Sequence, residues 1–201
     1  MFYTADRAQA TLEAQESLPD EILAEIHLLA AVKTPYRTVA LKAVKTENKS
    51  GLDAALKPYN GNLQPRSLSL TAANGKLITV KDYKNRVTVI NFWATWCSPC
   101  VKEIPSLNRL RNKMHGKPFE LISVNYAENK ERVNAFFKRV HVSYPVLLDE
   151  NGRESAAWHV LIFPSTFVIG PDGNFAYGVN GGIEWDSKEV ISTLSGLLNN
   201  R

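Results

Sequence analysis

The chain has 201 residues, 44% of them hydrophobic, with 24 basic and 20 acidic side chains and a formal net charge of +4. That is enough for one ordinary core plus an extension, since single domains commonly run to about 100–150 residues. The charges are dispersed, with no basic face interleaved with aromatics, so no nucleic-acid partner is expected. No apolar stretch approaches the roughly 20 residues needed to cross a bilayer, and Met1–Asp6 lacks the features of a signal peptide. A membrane tether preceding Met1 is left open.

Residues 1–61 read as an N-terminal extension and 62–201 as the main domain. In the extension, Ser17-Leu18-Pro19-Asp20 caps a predicted helix to about Lys33 carrying Ile22, Leu23, Ile26 and Leu29, which Pro35 ends. Ser50–Leu56 reads as a helical turn before Pro58, and Gly61-Asn62 as a joint. Such a segment is too small for a core of its own, which leaves packing, oligomerisation or a spacer role open.

From residue 62 the punctuation becomes regular. Arg66–Leu70 and Lys76–Val80 flank Asn74-Gly75, a hairpin signal. Val87–Trp93 is a β-branched and aromatic run, hence a buried strand. The helix after it carries Val101, Ile104, Leu107 and Met114, with a kink expected at Pro105 and a stop at Gly116. Phe119–Asn125 predicts a strand, and Asn129–Val140 a helix with Val133, Phe136, Phe137 and Val140 on one face. Then come a strand at Pro145–Leu148, a turn at Asn151-Gly152 and a short helix through Ala156-Ala157-Trp158. Thr166–Ile169 and Phe175–Val179 form a hairpin across Pro171-Asp172-Gly173. The last helix is expected to open at Asp186, with Glu189 completing a capping box. Strands alternating with helices, closed by a hairpin, predict an α/β fold on a mixed sheet.

The two cysteines, Cys97 and Cys100, stand two residues apart at a strand-to-helix junction. Disulfide exchange needs an accessible thiolate and a second thiol close enough to resolve the mixed disulfide. Cys97 at the helix N-terminus meets unpaired N–H groups and the positive end of the helix dipole, which lower a thiol pKa. Cys100, one turn deeper, is the resolving thiol, and Pro99 limits the backbone between them. Helical spacing places Glu103 near Cys100, where a partly buried carboxyl would trade protons with it. The four histidines do not fall at ligand spacing with the pair, so no metal site and no cofactor is expected. Pro164 precedes a predicted strand, and periodicity alone reads it as an ordinary loop proline.

Asn91-Phe92-Trp93-Ala94-Thr95-Trp96-Cys97-Ser98-Pro99-Cys100, Glu103-Ile104-Pro105, Phe163-Pro164-Ser165-Thr166-Phe167 and Gly182-Ile183-Glu184-Trp185 together resemble the TlpA/ResA branch of the thioredoxin superfamily. The resemblance runs from about Ser69 to the C-terminal helix. It implies a thioredoxin fold with an N-terminal β-hairpin and, over Asn125–Val140, a central helical insertion. The residue 1–61 helical extension is additional to that pattern. It also implies that Cys97 is the nucleophile, that Cys100 resolves, that Glu103 is a buried catalytic acid and that Pro164 is a cis proline. Phe163 would then offer backbone hydrogen bonds to a substrate strand. Trp96, Ser98, Pro99 and Glu128 complete the expected substrate-binding surroundings. Asn91 stands where plain thioredoxin has a buried aspartate, so proton exchange would pass to Glu103. Ser98 departs from better-known relatives and leaves the redox potential open.

Relatives of this branch are exported or membrane-tethered thiol reductases. They act on oxidised cysteines of cytochrome c apoproteins, copper-delivery proteins or oxidase subunits, and a membrane electron donor of the DsbD/CcdA type keeps them reduced. Three other readings stay open from the residues: a disulfide oxidase or isomerase using the same side chains, a copper-handling protein in which thiolates bind Cu(I), and a peroxidase using Thr95 beside Cys97. Oligomeric state is not legible.

Overall fold

The computed structural model describes residues 54–199, all within one unit of the chain, Thr46–Arg201. The predicted helix from Ser17 to Lys33 and the Ser50–Asp53 part of the predicted turn lie outside the described residues. Ala54–Leu56 form no helix, and the sheet begins directly after them.

Eight strands and four helices follow in order: β1 (Lys57–Pro58), β2 (Leu68–Thr71), β3 (Leu77–Val80), β4 (Val87–Trp93), α1 (Ser98–Lys113), β5 (Phe119–Tyr126), α2 (Lys130–Phe137), β6 (Val146–Asp149), α3 (Arg153–Ala157), β7 (Ser165–Ile169), β8 (Phe175–Asn180) and α4 (Lys188–Asn199). The main sheet has six strands in the order β1-β8-β7-β4-β5-β6. β4, β5 and β6 are parallel, whereas β7 pairs antiparallel with both β4 and β8. The sheet is therefore mixed, as the alternation of elements predicts. β2 and β3 form a separate hairpin, tied to β6 by an Ala72–Leu147 bridge.

β4 is the central strand, and all seven of its residues are buried. Its β-branched and aromatic side chains suit a pleated surface covered on both faces. Successive side chains point to opposite faces. Val87, Val89 and Trp93 accordingly join Ile104, Leu107, Val190 and Leu194 in one core, whereas Ile90 and Phe92 join Leu68, Ile122, Leu147 and Trp158 in the other. Asn91 belongs to the first alternation and is the polar member of that row, so it points at α1.

α1 starts at Ser98 with Cys97 as its N-cap and a proline in the first turn, where a missing N–H costs nothing. It runs unbroken through Pro105 to Lys113. Pro105 is exposed, so water can meet the carbonyl its ring leaves without a partner. The chain leaves the helix at Met114 and turns at Gly116, whose φ of +79° lies in the left-handed region that favours glycine.

Several predicted ends move by one to three residues, and two of the shifts are in helices. α2 is capped by Asn129, whose Oδ1 accepts the Arg132 N–H at 2.9 Å, but it stops at Phe137, short of Val140. α4 opens one residue later than predicted: Ser187 Oγ accepts the Val190 N–H at 3.3 Å. Asp186 does not cap it, because Arg109 and Lys113 of α1 donate to its carboxylate at 3.0 and 2.8 Å. Two cations outcompete a backbone amide, and hydrogen bonding to Arg109 holds the Asp186 carboxyl well below the usual carboxylate range.

Candidate active site

The junction between β4 and α1 carries the cysteines. Cys97 and Cys100 are joined as a disulfide with Cα atoms 5.3 Å apart. The Cys100 N–H donates to Cys97 Sγ at 3.3 Å. Once the bond is reduced, that N–H and the open first turn of α1 face the Cys97 sulfur and favour its thiolate. Cys97 is the less buried of the two, next to Trp96, which is 57% exposed, and the exposed Ser98. Cys97 is thus the outer and Cys100 the inner sulfur of the pair.

Glu103, one turn beyond Cys100, has no exposed surface. Its Oε1 accepts from Asn91 Nδ2 at 2.8 Å, and its Oε2 accepts from the Trp185 indole N–H at 2.9 Å and the Ile183 N–H at 3.4 Å. All three donors are neutral, and no cation pairs with it among the described residues. Burial pushes its carboxyl from the ordinary 4.5 to about 7, a rise that the bonds from Trp185, Asn91 and Ile183 oppose but do not cancel. Asn91 also donates to Thr166 Oγ1 at 3.0 Å, which locks the amide between β7 and α1.

Glu128, 5% exposed, sits behind the loop that leads into Cys97. It accepts from the Thr95 N–H at 2.7 Å, the Thr95 hydroxyl at 2.5 Å and Asn125 Nδ2 at 2.8 Å, and pairs with Arg132 at 2.7 Å. The Thr95 hydroxyl is thereby committed to a carboxylate. Glu128 faces this loop.

On the other flank, the Phe163–Pro164 peptide is cis. Ser165 Oγ donates to the Ile162 carbonyl at 2.7 Å, and the Gly181 N–H donates to the Pro164 carbonyl at 2.7 Å, so the loop is held from both sides. The Phe163 ring lies 5.8 Å from Trp96, edge to face, and 4.8 Å from Tyr126. Among the described residues the Phe163 N–H and carbonyl take no partner. Leu161 and Ile162, 89% and 54% exposed, lead into this loop.

The structure thus gathers Trp96, Cys97, Ser98, Pro99, Cys100 and Phe163 at one end of the sheet, with Glu103 beneath and Glu128 behind. Sequence reasoning gave no role to Trp185, Thr166 or Arg132. Trp185 is 82 positions from Glu103 in the chain, a separation no local pattern reports. The one available signal was the tryptophan's place in the Gly182–Trp185 motif.

A mixed sheet with a central parallel strand running into a bridged Cys-x-x-Cys, faced by a cis proline, defines a thioredoxin-fold protein. The Redoxin family model matches residues 57–194, and the chain belongs to that family. It is 37% identical over 112 residues to the thiol-disulfide oxidoreductase ResA of Bacillus subtilis, a match covering 56% of this chain and 63% of ResA. The fold is similar to that of StoA from Bacillus subtilis, with a TM-score of 0.54 and 23% identity over 66% of this chain and 96% of StoA. It is also similar to the exposed lipoprotein thioredoxin Etrx1 of Streptococcus pneumoniae, with a TM-score of 0.57 and 23% identity over 65% of this chain and 98% of Etrx1.

Proposed function

We propose that the chain is a thiol:disulfide oxidoreductase whose reduced form passes two electrons to a disulfide in an exported partner protein. The observation that carries the direction of transfer is Glu103, buried one turn from Cys100 with no cation partner among the described residues. A carboxylate there opposes a thiolate on Cys100 and so favours the disulfide form of the pair. A couple whose reduced form is not stabilised is the more reducing one.

In the reaction, the Cys97 thiolate attacks one sulfur of the substrate disulfide, and the second substrate sulfur leaves as a thiolate that takes up a proton. Cys100 then gives its proton to the Glu103 carboxylate and attacks Cys97 Sγ. The intramolecular disulfide forms and the remaining substrate thiol is released. A carboxyl with a pKa of about 7 is near half-ionised at neutral pH, which suits it to both taking and returning that proton. The Phe163 backbone would pair with a substrate strand, and Pro164 would shape that edge. Ser98 and Pro99 supply the rest of the contact surface.

Sulfur carries both electrons, so the mechanism calls for no cofactor. The oxidised pair must be reduced again by a dithiol donor, for which a membrane protein of the DsbD/CcdA type is the fitting partner. Export, with or without a membrane anchor, follows from the same reading. Cytochrome c apoproteins and copper or oxidase assembly proteins are the substrate classes the resemblance suggests. Among the described residues no helix is long and apolar enough to cross a membrane.

The test is the reduction potential of the Cys97–Cys100 couple, measured by equilibration in glutathione or dithiothreitol buffers. A value near about −270 mV supports electron donation. A value between about −180 and −120 mV would instead assign disulfide formation or isomerisation to the same residues.

A further inference from the structure

Beside the dithiol, a groove of about 550 Å³ opens between the first turn of α1 and the helix α2. Trp96 forms its wall nearest the cysteines, Val101, Phe136 and Val140 contribute apolar surface, and Arg132 and Arg139 supply charge. Among the described residues no acidic side chain lines it. Its volume falls within the roughly 300–1,000 Å³ of ordinary ligand sites, room for two or three side chains.

The two arginines differ. Arg132 is answered by Glu128 at 2.7 Å, so its charge is largely spent on the interior. Arg139 is exposed and has no carboxylate partner among the described residues. The groove therefore offers an unanswered positive charge over an apolar floor, and Trp96 joins it to the Phe163 edge at 5.8 Å. A chain lying on Phe163 with its cysteine at Cys97 would reach the groove within a few residues.

We infer that this groove selects partner segments that place an acidic and an apolar residue close to the reacting cysteine. The inference rests on the exchange activity proposed above and names the substrate feature that activity prefers. The carboxylate would pair with Arg139 and the apolar side chain would pack between Trp96 and Phe136. Exposed pairs of this kind contribute modestly to affinity but strongly to partner choice, because the opposite charge is repelled.

The experiment uses the full-length chain, kept reduced by a low concentration of dithiothreitol whose uncatalysed rate is subtracted, and three disulfide-bridged peptides, identical except for Glu, Gln or Lys beside a leucine near the cysteine. At low salt the kcat/KM ratio of the Glu to the Lys peptide is expected to be about fivefold or more, falling toward one at 0.5 M salt, where the Debye length shrinks to a few ångströms. Arg139→Glu should invert that ratio. Because each enzyme is its own reference, a general loss of activity in the variant does not mimic the result. A ratio near one in the wild type, or one that Arg139→Glu leaves unchanged, overturns the inference. Wild-type turnover of bis(2-hydroxyethyl) disulfide with a peptide ratio near one leaves the exchange activity standing and this inference refuted. No turnover of any disulfide removes both.

Discussion

Glu103 and Glu128 are both buried carboxylates set against the same dithiol, yet they are held in opposite ways. Glu103, under Cys100, receives hydrogen bonds among the described residues only from neutral groups, Asn91, Trp185 and the Ile183 amide. Glu128, behind Thr95, has the Arg132 guanidinium in addition to its neutral donors. Removing a carboxylate from water is costly unless a partner charge or enough hydrogen bonds repay it. With a cation, the buried acid is a tether that fixes the loop leading into Cys97. Without one, it keeps a proton within reach at neutral pH. The difference teaches that two buried carboxyls at one dithiol can be held by unlike partners, Glu103 by neutral donors and Glu128 by a guanidinium as well.

The largest expected effect comes from changing Glu103, the proton carrier of the proposed mechanism. An amide takes up no proton, so Glu103→Gln should slow exchange by about a hundredfold, the usual worth of a positioned acid–base group, as read by turbidity in insulin reduction. It should also flatten the pH dependence of stability. The folded Glu103 pKa of about 7 lies above the ordinary 4.5, so the native state binds the extra proton. The associated stability is fully present below about pH 4.5 and is lost as pH rises through about 7, by at most about 3 kcal/mol. Urea midpoints at pH 5 and 8 measure it. Parallel curves for wild type and variant would show that this acid does not carry the proton.

Trp185→Phe sharpens the same side. The indole N–H stabilises the ionised carboxylate, so its loss should raise the midpoint of the pH–rate profile from about 7 by about one pH unit. A midpoint that stayed put would mean that Trp185 only fills space. Glu128→Gln tests the tether. It keeps an acceptor for Thr95 but loses the pairing with Arg132, which is 59% exposed and returns to water. We expect a loss of about 1–2 kcal/mol in a thermal melt and faster hydrogen exchange at the Thr95 amide, with the pH midpoint unmoved. A shifted midpoint would erase the distinction between the two acids. Arg109→Ala should have the smallest effect, below about 1 kcal/mol, since Arg109 and Glu184 are about half exposed and Lys113 still pairs with Asp186. A larger loss would show that the surface clamp on residues 184–186 is what holds Trp185 over Glu103.

The order and type of elements from the β2–β3 hairpin to α4 were legible in the chain, because hairpin signals, β-branched runs and helical periods are local and are written in neighbouring residues. The dithiol at a strand-to-helix junction was equally plain, and helical spacing alone put Glu103 beside Cys100. The tertiary structure decided what spacing does not encode. Glu103 depends on Asn91, Ile183 and Trp185, brought together from 12, 80 and 82 positions away. The cap of α4 shifted to Ser187 because Arg109 and Lys113, 77 and 73 positions away, claimed Asp186. The cis form of Phe163–Pro164 came from resemblance, where periodicity alone favoured an ordinary loop proline. The Glu103 and Asp186 contacts join groups far apart in the chain, and only packing brings such groups together.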